Sequence, residues 1–594
     1  MKALKGIGVA NGIAIGRALL ILDEDNVVFE EVVGEHGVEQ ELAAFAAALE
    51  KAKSEIRLIK DNVIDKIGEE HAFIFDTHVL LLEDRSLTKE TENYIREKKC
   101  NAAWAFSQVL MNLLKEFSAL GDSYFVERGN DLKDVGKRVL KILRGAKEIK
   151  FKNLQNDVIV IGSDFGPSNI TRFDHPNILG FASDVGAQTT HTAIIAKALE
   201  LPAVVGLHDI SKRVETGDMI LLDSFSGKVF INPDAETLEK YKKLDILYKE
   251  EEAGYRKEVN EPAISKDGLE IELHANIELP IEAEGAIANG ARGVGLYRTE
   301  FLFLKSAPEL PTEDVHYKTY CDLAESVGGK QLTIRTLDLG GDKFFHRTFR
   351  RAKEANPVMG LRGVRLCMAR KDIFRDQLRA VLRACHKYEN IRVMFPLLSG
   401  VEEWRSALDY LEEVKEEMRV EGIAFRENPK LGVMIEVPSA AMVADFLARE
   451  MDFFSIGTND LLQYFLAIDR ANDDVSYLYE PFHPGFVRLL SFVVEAANKH
   501  GLDISCCGEM ASSPIYACLL IKLGLRKLSM NPASLPIIHH VIRAMDFSRL
   551  DELVSSLDSL GPTGMQARQT FRDAFKNLLS PHDYQHLIEE HDTD

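Results

Sequence analysis

After Pro262 the sequence settles into one repeating pattern. Short apolar runs recur, each followed by a stretch with helical spacing. They are EIELHANI (270–277), GVGLYRTE (293–300), LTIRTLDLGG (332–341), RVMFPLLS (392–399), LGVMIEVP (431–438), FFSIGTND (453–460), DISCCGE (503–509) and KLSMNPA (527–533). Strands alternating with helices pair in parallel, because a helical crossover carries the chain back to start the next strand in the same direction. Eight such units predict a (β/α)8 barrel, in which the C-terminal strand ends form the working face. Most of these runs end there in polar residues: Arg298 and Glu300, Arg335 and Asp338, Glu436, Asn459 and Asp460, Cys507 and Glu509. Their concentration at one end of successive strands points to a site rather than to ordinary loop polarity.

The chain has 594 residues, more than one core can serve, and roughly three or four domains are expected. Residues 4–22 read as short strands with glycine turns. A helical block follows and ends near residue 148. In it Val38, Leu42, Phe45, Leu49, Ala52, Ile56, Ile59, Val63 and Ile67 alternate steps of four and three, the seam of packed antiparallel helices. FIFDTHVLLLED, AWAFSQVLMNLLKEF and DLKDVGKRVLKIL read as further amphipathic helices. From about 149 to 233, short strands with turn signals predict a small α/β domain. More than half of residues 234–261 are charged, and a long helix with that little apolar surface suits a connector between domains.

The net charge of −21 argues against a nucleic-acid partner. No apolar run approaches the eighteen or so residues of a membrane span. The start, MKALKGIGVANGIAIG, is broken by glycines and has no signal core. Seven scattered cysteines without Cys-x-x-Cys spacing point to a reducing cytoplasm.

Glu436 and Asp460 end neighbouring strands, and paired hard oxygen ligands suit Mg²⁺. Arg298, Arg335, Arg362 and Arg470 fall at or shortly after strand ends. Guanidinium groups grip carboxylate and phosphate in bidentate fashion, although any one of them is more often a surface ion pair. Together the two sets suggest a small, highly anionic phosphorylated acid as ligand. Cys507, beside Cys506, fits either a buried inert thiol or a proton donor at the barrel mouth. In the α/β domain, His191 stands in GAQTTHTAIIAKALELPAVVG (186–206), in the first turn of an expected helix. A capped, partly exposed histidine is the commoner case there. An imidazole carrying a phosphoryl group would gain from the free N–H groups and the helix dipole.

GLYRTEFLF, IRTLDLGGDK, NPVMGLRGVR, MFPLLSGVEE, GVMIEVPSAA, DFFSIGTNDLLQYFLAIDR and CCGEMA, with the domain order and length, carry a resemblance over nearly the whole chain. The sequence resembles the Enzyme I family of the bacterial phosphotransferase system, the phosphoenolpyruvate–protein phosphotransferases. The resemblance implies a helical bundle, residues 24–148, inserted in a small swivelling phosphohistidine α/β domain formed by residues 1–23 and 149–233. A (β/α)8 barrel, residues 262–594, follows the connector. It implies that His191 is phosphorylated through Nε2 and that Arg298, Arg335, Asn459 and Arg470 bind phosphoenolpyruvate, with Arg362 and Lys343 nearby. Glu436 and Asp460 would hold Mg²⁺, Asp460 also facing substrate, and Cys507 would protonate C3 of the enolate to release pyruvate. The helical block would dock the carrier protein HPr, and the barrel would form a homodimer.

The chain departs from the family pattern near the histidine. The usual GGxTSH is GAQTTH, with Ala187 for a glycine and Thr190 for a serine. Gln188 stands where arginine is common, and Gly166 where a hydroxyl residue is common. These changes bear on the tuning of the phosphohistidine. Pyruvate phosphate dikinase and phosphoenolpyruvate synthase share the histidine domain and barrel, but they need a nucleotide-binding domain, and the first 148 residues hold no glycine-rich phosphate loop. A non-catalytic HPr-binding regulator is the remaining alternative, against which the intact Arg, Glu, Asp and Cys set argues.

Overall fold

The computed structural model describes residues 2–10, 12–21, 33, 35–67, 82, 84–119, 132, 135–136, 138–140, 142–143, 157–163, 175–186, 196, 201–306, 310–340, 356–470, 472, 475–553 and 561–589. The chain divides into two compact units, Met1–Leu238 and Glu239–Asp594.

In the first unit, β1 (Lys2–Lys5), β2 (Ile7–Ala10), β3 (Ile13–Ile21), β4 (Val158–Gly162), β5 (Ile178–Ser183), β6 (Ala203–Val205), β7 (Met219–Asp223) and β8 (Lys228–Ile231) form one sheet. Its order is β1-β8-β7-β3-β4-β5-β6-β2. The central β3, β4, β5 and β6 run parallel, and the outer strands are antiparallel to their neighbours. All five residues of β4, VIVIG, are buried. Val158 and Val160 pack on one face with Phe181 and Val205, and Ile159 and Ile161 pack on the other with Val204 and Leu222. A strand covered on both faces reads as an unbroken apolar run, which VIVIG is. Ala196, five residues after His191, is helical and joins the first of these cores.

β3 pairs directly with β4, so the helices between them are an insertion into the sheet domain. They are Glu35–Ile67, Arg85–Lys98 and Ala102–Ala119. Val38, Phe45, Leu49, Ala52 and Ile56 of the expected seam are buried in the bundle core, with Phe45 and Phe106 ring centroids 5.7 Å apart. The side chains of Ile59, Val63 and Ile67 lie outside the described residues, as does most of the expected helix at 73–84. At the described positions of 131–143, Leu132, Val135, Val139 and Leu140 are buried in the same core. The periodicity reading missed Arg85–Lys98, which the Asp84 carboxylate caps by accepting the Ser86 N–H.

A 24-residue helix, Ala235–Glu258, leads into the second unit. There β9 (Glu272–Ile277), β10 (Gly293–Tyr297), β11 (Gln331–Arg335), β12 (Ile391–Phe395), β13 (Lys430–Ile435), β14 (Phe453–Ile456), β15 (Asp503–Cys506) and β16 (Lys527–Met530) close into a barrel. Every neighbouring pair is parallel, and β16 returns to β9. Each of the eight expected runs holds one strand. In β10 to β16 the ladder stops three to six residues before the run ends, because the polar tails of those runs turn into the barrel mouth, while β9 and its run end together at Ile277. No described helix is long and apolar enough to cross a membrane.

Side chains alternate across each strand. One set packs against the outer helices: Ile334, Val393, Phe395, Ile435 and Cys506 belong to that core. The other set fills the lumen, where Leu296, Met394, Met434, Phe453 and Cys507 pack together. Towards the start of the strands the lumen is charged. Arg392 lies 2.6 Å from Asp503 and 4.0 Å above the Phe453 ring, and Lys527 lies 2.9 Å from Asp503 and 3.5 Å from Glu272.

Arg392 is 7% exposed, so loss of its carboxylate partner strands a buried cation. Asp503 keeps about a third of its side-chain exposure, so solvent screening trims the cost. Asp503→Ala is expected to destabilise the protein by about 2 kcal/mol, read as a lower urea midpoint at unchanged slope. Adding Arg392→Leu should recover part of that loss. An unchanged midpoint in Asp503→Ala would show that the pair contributes nothing.

Candidate functional site

The site lies where β10 to β15 end. Arg335, the last residue of β11, is the middle of its charge network. Its guanidinium stands 3.0 Å from Glu300 and 3.0 Å from Asp338, and its side chain is 9% exposed. Glu300 Oε1 also accepts the Asp338 N–H at 2.9 Å. Arg362 Nη2 bridges two carboxylates, Asp338 and Asp460, each at 3.0 Å. Its Nη1 donates to the Tyr464 hydroxyl at 3.4 Å, and that hydroxyl donates to the Val358 carbonyl at 2.6 Å. Arg470 lies 3.8 Å from Asp460 and is a third exposed. Arg298 pairs with Glu278 at 2.7 Å. Asn459 accepts the Glu509 N–H at 2.8 Å and its carbonyl accepts from the Tyr479 hydroxyl at 3.2 Å, which binds the β14 loop to the β15 loop.

Three carboxylates converge: oxygens of Asp338, Glu436 and Asp460 all lie within 4.8 Å of one another. Glu436 is 2% exposed and accepts the Leu397 N–H at 2.6 Å. Among the described residues no cation lies within ion-pair distance of it. Burial, and then the charges of Asp338 and Asp460, push its pKa up to about 8. Burial acts on Asp338 in the same sense, but Arg335 and Arg362 outweigh it and hold Asp338 below the ordinary carboxylate range. Three converging hard oxygen donors, one of them buried without a cationic partner, fit a divalent cation. Asp338 is the member that the sequence did not assign; its only signal was its place three residues after Arg335.

The backbone at this point is built for close approach. Leu397 adopts φ +56°, rare for a bulky residue, and this conformation accompanies the hydrogen bond from its N–H to Glu436. Gly363, directly after Arg362, has φ +57°, and a Cβ there would stand 2.8 Å from Leu397 Cβ.

The adjacent cysteines face opposite ways. Cys506 packs into the strand–helix core, and Cys507 points into the lumen above Met394 and Met434. Asn276 donates to the Cys507 carbonyl at 2.9 Å. Burial raises the Cys507 pKa, so the thiol keeps its proton at neutral pH. The Arg335 Nε has no hydrogen-bond partner among the described residues, although it is buried. That leaves an unused donor beside the carboxylates and the thiol.

Arg298, Arg335, Arg362, Arg470, Asn459, Asp460, Glu436 and Cys507 thus stand at the ends of β10 to β15 or on the loops that follow. His191 and Lys343 lie outside the described residues, as do Ala187, Gln188, Thr190 and Gly166.

Three family models match the chain: "PEP-utilising enzyme, N-terminal" over residues 5–128, "PEP-utilising enzyme, mobile domain" over 154–227, and "PEP-utilising enzyme, PEP-binding domain" over 252–547. A phosphoenolpyruvate-protein phosphotransferase of Geobacillus stearothermophilus is 39% identical over 573 residues, 96% of this chain and 98% of that protein. The proteins of the same name from Listeria monocytogenes and Bacillus subtilis are each 39% identical, over 93% and 90% of this chain and 96% and 93% of their own lengths. Similarity at this level runs through the sheet domain, the helical insertion and the barrel alike. The chain belongs to the phosphoenolpyruvate-protein phosphotransferase family.

Proposed function

We propose that the protein transfers the phosphoryl group of phosphoenolpyruvate to its own His191, and from there to a histidine of HPr, as the first step of the phosphotransferase system. The observation that carries this reading is the barrel mouth, where buried arginines, three carboxylates and a protonated thiol share one small volume.

Residues 1–23 and 149–233 act as the phosphohistidine domain, 24–148 as the HPr-binding domain, 234–261 as connector and 262–594 as the substrate-binding barrel and the contact of a homodimer. The work is that of a cytoplasmic enzyme. Arg298, Arg335 and Arg470 grip the phosphate and carboxylate of the substrate, with Asn459 and Arg362 beside them and Lys343 near the same face. Glu436 and Asp460 would hold Mg²⁺, with Asp338 as a further oxygen donor. A cation bound there would supply Lewis-acid charge to the phosphoryl transfer.

His191 Nε2 attacks phosphorus, and a P–N bond forms. The bond from phosphorus to the enol oxygen breaks, and its electron pair stays on the oxygen. As the enolate collapses to the ketone, C3 takes the proton of Cys507 Sγ, pyruvate leaves, and the thiolate regains a proton from solvent. A thiol kept protonated by burial suits that step. Beneath it Leu296, Met394, Met434 and Phe453 pack around the thiol.

Glu436→Ala and Asp460→Ala are expected to abolish labelling of His191 from phosphoenolpyruvate at saturating Mg²⁺, with circular dichroism unchanged. Chelation of Mg²⁺ should have the same effect on the unaltered protein. Full labelling of both variants in chelator would remove the metal from the reading.

The opposed cysteines separate carbon protonation from phosphate exchange. Cys507→Ala should slow phosphoenolpyruvate-driven turnover by about a hundredfold or more. It should spare exchange between His191 and phospho-HPr, which needs no proton at carbon. Cys506→Ala should affect both only mildly. If Cys506→Ala is the inactive variant and Cys507→Ala the active one, the acid is misassigned.

His191→Gln tests the acceptor itself. It should take no label from phosphoenolpyruvate or from phospho-HPr, as read by acid-labile phosphate on the intact protein. Label retained in that variant would place the acceptor elsewhere.

A further inference from the structure

Arg298 and Glu300 stand on the loop after β10, and Arg335 and Asp338 at the end of β11. One buried amide is bonded to both places. Gln377 lies within the helix Lys371–Lys387 and is 1% exposed. Its Oε1 accepts the Leu337 N–H at 3.0 Å, between Arg335 and Asp338. Its Nε2 donates to Thr299 Oγ1 at 3.2 Å, between Arg298 and Glu300, and to the Tyr320 hydroxyl at 3.2 Å. The Thr299 hydroxyl in turn donates a hydrogen bond to the Arg335 carbonyl at 3.0 Å. The Tyr320 hydroxyl lies 2.9 Å from His316 Nδ1.

The directions of the bonds through Gln377 and Thr299 are fixed. The Leu337 N–H can only donate, so the amide oxygen must face it and the amide nitrogen must face the hydroxyls. Both hydroxyls then accept from that nitrogen, and the Thr299 hydroxyl donates onward to the Arg335 carbonyl. Burial pushes the His316 pKa down to about 3, so the ring is neutral and its Nδ1 is able to accept. Thr299, Tyr320 and His316 are fully buried, so water does not compete for these groups. An apolar side chain of the same volume would fill the space of Gln377, but it would leave the Leu337 N–H and the Thr299 hydroxyl without this partner.

We infer that Gln377 is a positioning residue for phosphoenolpyruvate binding. It fixes the separation of the Arg298–Glu300 and Arg335–Asp338 loops, so that Arg298 and Arg335 meet one substrate. The inference rests on the reading of the barrel mouth as the phosphoenolpyruvate site.

The test uses the full chain. KM for phosphoenolpyruvate and kcat are measured in transfer to HPr for Gln377→Met, Thr299→Val and Thr299→Ser. Thermal midpoints, and phosphate exchange between His191 and HPr, are measured alongside. Gln377→Met and Thr299→Val should each raise KM about tenfold, with a smaller change in kcat and unchanged exchange. Thr299→Ser, which keeps the hydroxyl, should restore KM to near the unaltered value. The Gln377→Met, Thr299→Val double variant should be no worse than Gln377→Met alone, because both changes break one chain of bonds. A folded Gln377→Met with unaltered KM overturns the inference, and so does a Thr299→Ser as impaired as Thr299→Val. If Gln377→Met does not fold, the valine and serine variants decide the matter by themselves. Absence of transfer in the unaltered protein would instead overturn the underlying reading of the site.

Discussion

Charge balance at the mouth of the barrel governs the surrounding structure. Asp338, Glu436 and Asp460 bring their oxygens within 4.8 Å of one another in a place largely closed to water. Like charges so close and so buried disfavour one another strongly. Arg335 and Arg362 relieve Asp338 and Asp460, each arginine reaching two carboxylates. Glu300 in turn orients Arg335 and holds the Asp338 backbone. The left-handed turn at Leu397 brings one N–H to Glu436. Each of these elements serves the same need, and removing any one leaves another buried group without its partner.

The fold was legible because its strands are buried on both sides. Parallel barrel strands face helices outside and packed side chains inside, so their sequences carry continuous apolar runs. All eight were found this way, and the overshoot at their ends has a physical cause. Residues such as Thr299, Glu436 and Asp460 follow the apolar run without a turn signal, while the ladder has already ended. The helix Arg85–Lys98 was missed for the opposite reason. Its buried positions are Leu87, Thr91 and Ile95, one of them a threonine whose hydroxyl is satisfied by the Leu87 carbonyl at 2.7 Å. So few apolar positions in a charged stretch do not register as a stripe. The insertion of the helices into the first sheet was not visible in periodicity at all, since the pairing of β3 with β4 joins residues more than a hundred positions apart.

The site was legible where its chemistry sits at strand ends. Arginines and carboxylates there announce themselves by type and place, and the alternation of a strand was enough to separate Cys506 from Cys507. What stayed hidden is the support. Asp338 reads as one more polar residue until Arg362 and Asp460 are seen beside it. Gln377 lies in an amphipathic helix, where a glutamine normally faces water, and only the neighbouring strand ends give it a role. Leu397 looks like any apolar residue of FPLLS, because a backbone dihedral leaves no trace in residue type.

The two charged layers of the barrel lumen show how a structural cluster differs from a working one. At the start of the strands, Arg392 and Lys527 face Asp503 and Glu272, and each charge has an opposite within ion-pair distance. Every one of these charges is therefore balanced within the layer. At the other end, among the described residues, Glu436 has no such opposite, and Arg335 keeps a buried Nε–H without a partner. Burial there disfavours the charged form of Glu436, and a buried donor without an acceptor costs about 1–3 kcal/mol. A divalent cation on the carboxylates and a phosphorylated acid on the free donors would remove both deficits at once. The apolar and sulfur-containing layer between the two ends, Leu296, Met394, Met434 and Phe453, keeps the balanced cluster from reaching up to supply what the upper one lacks.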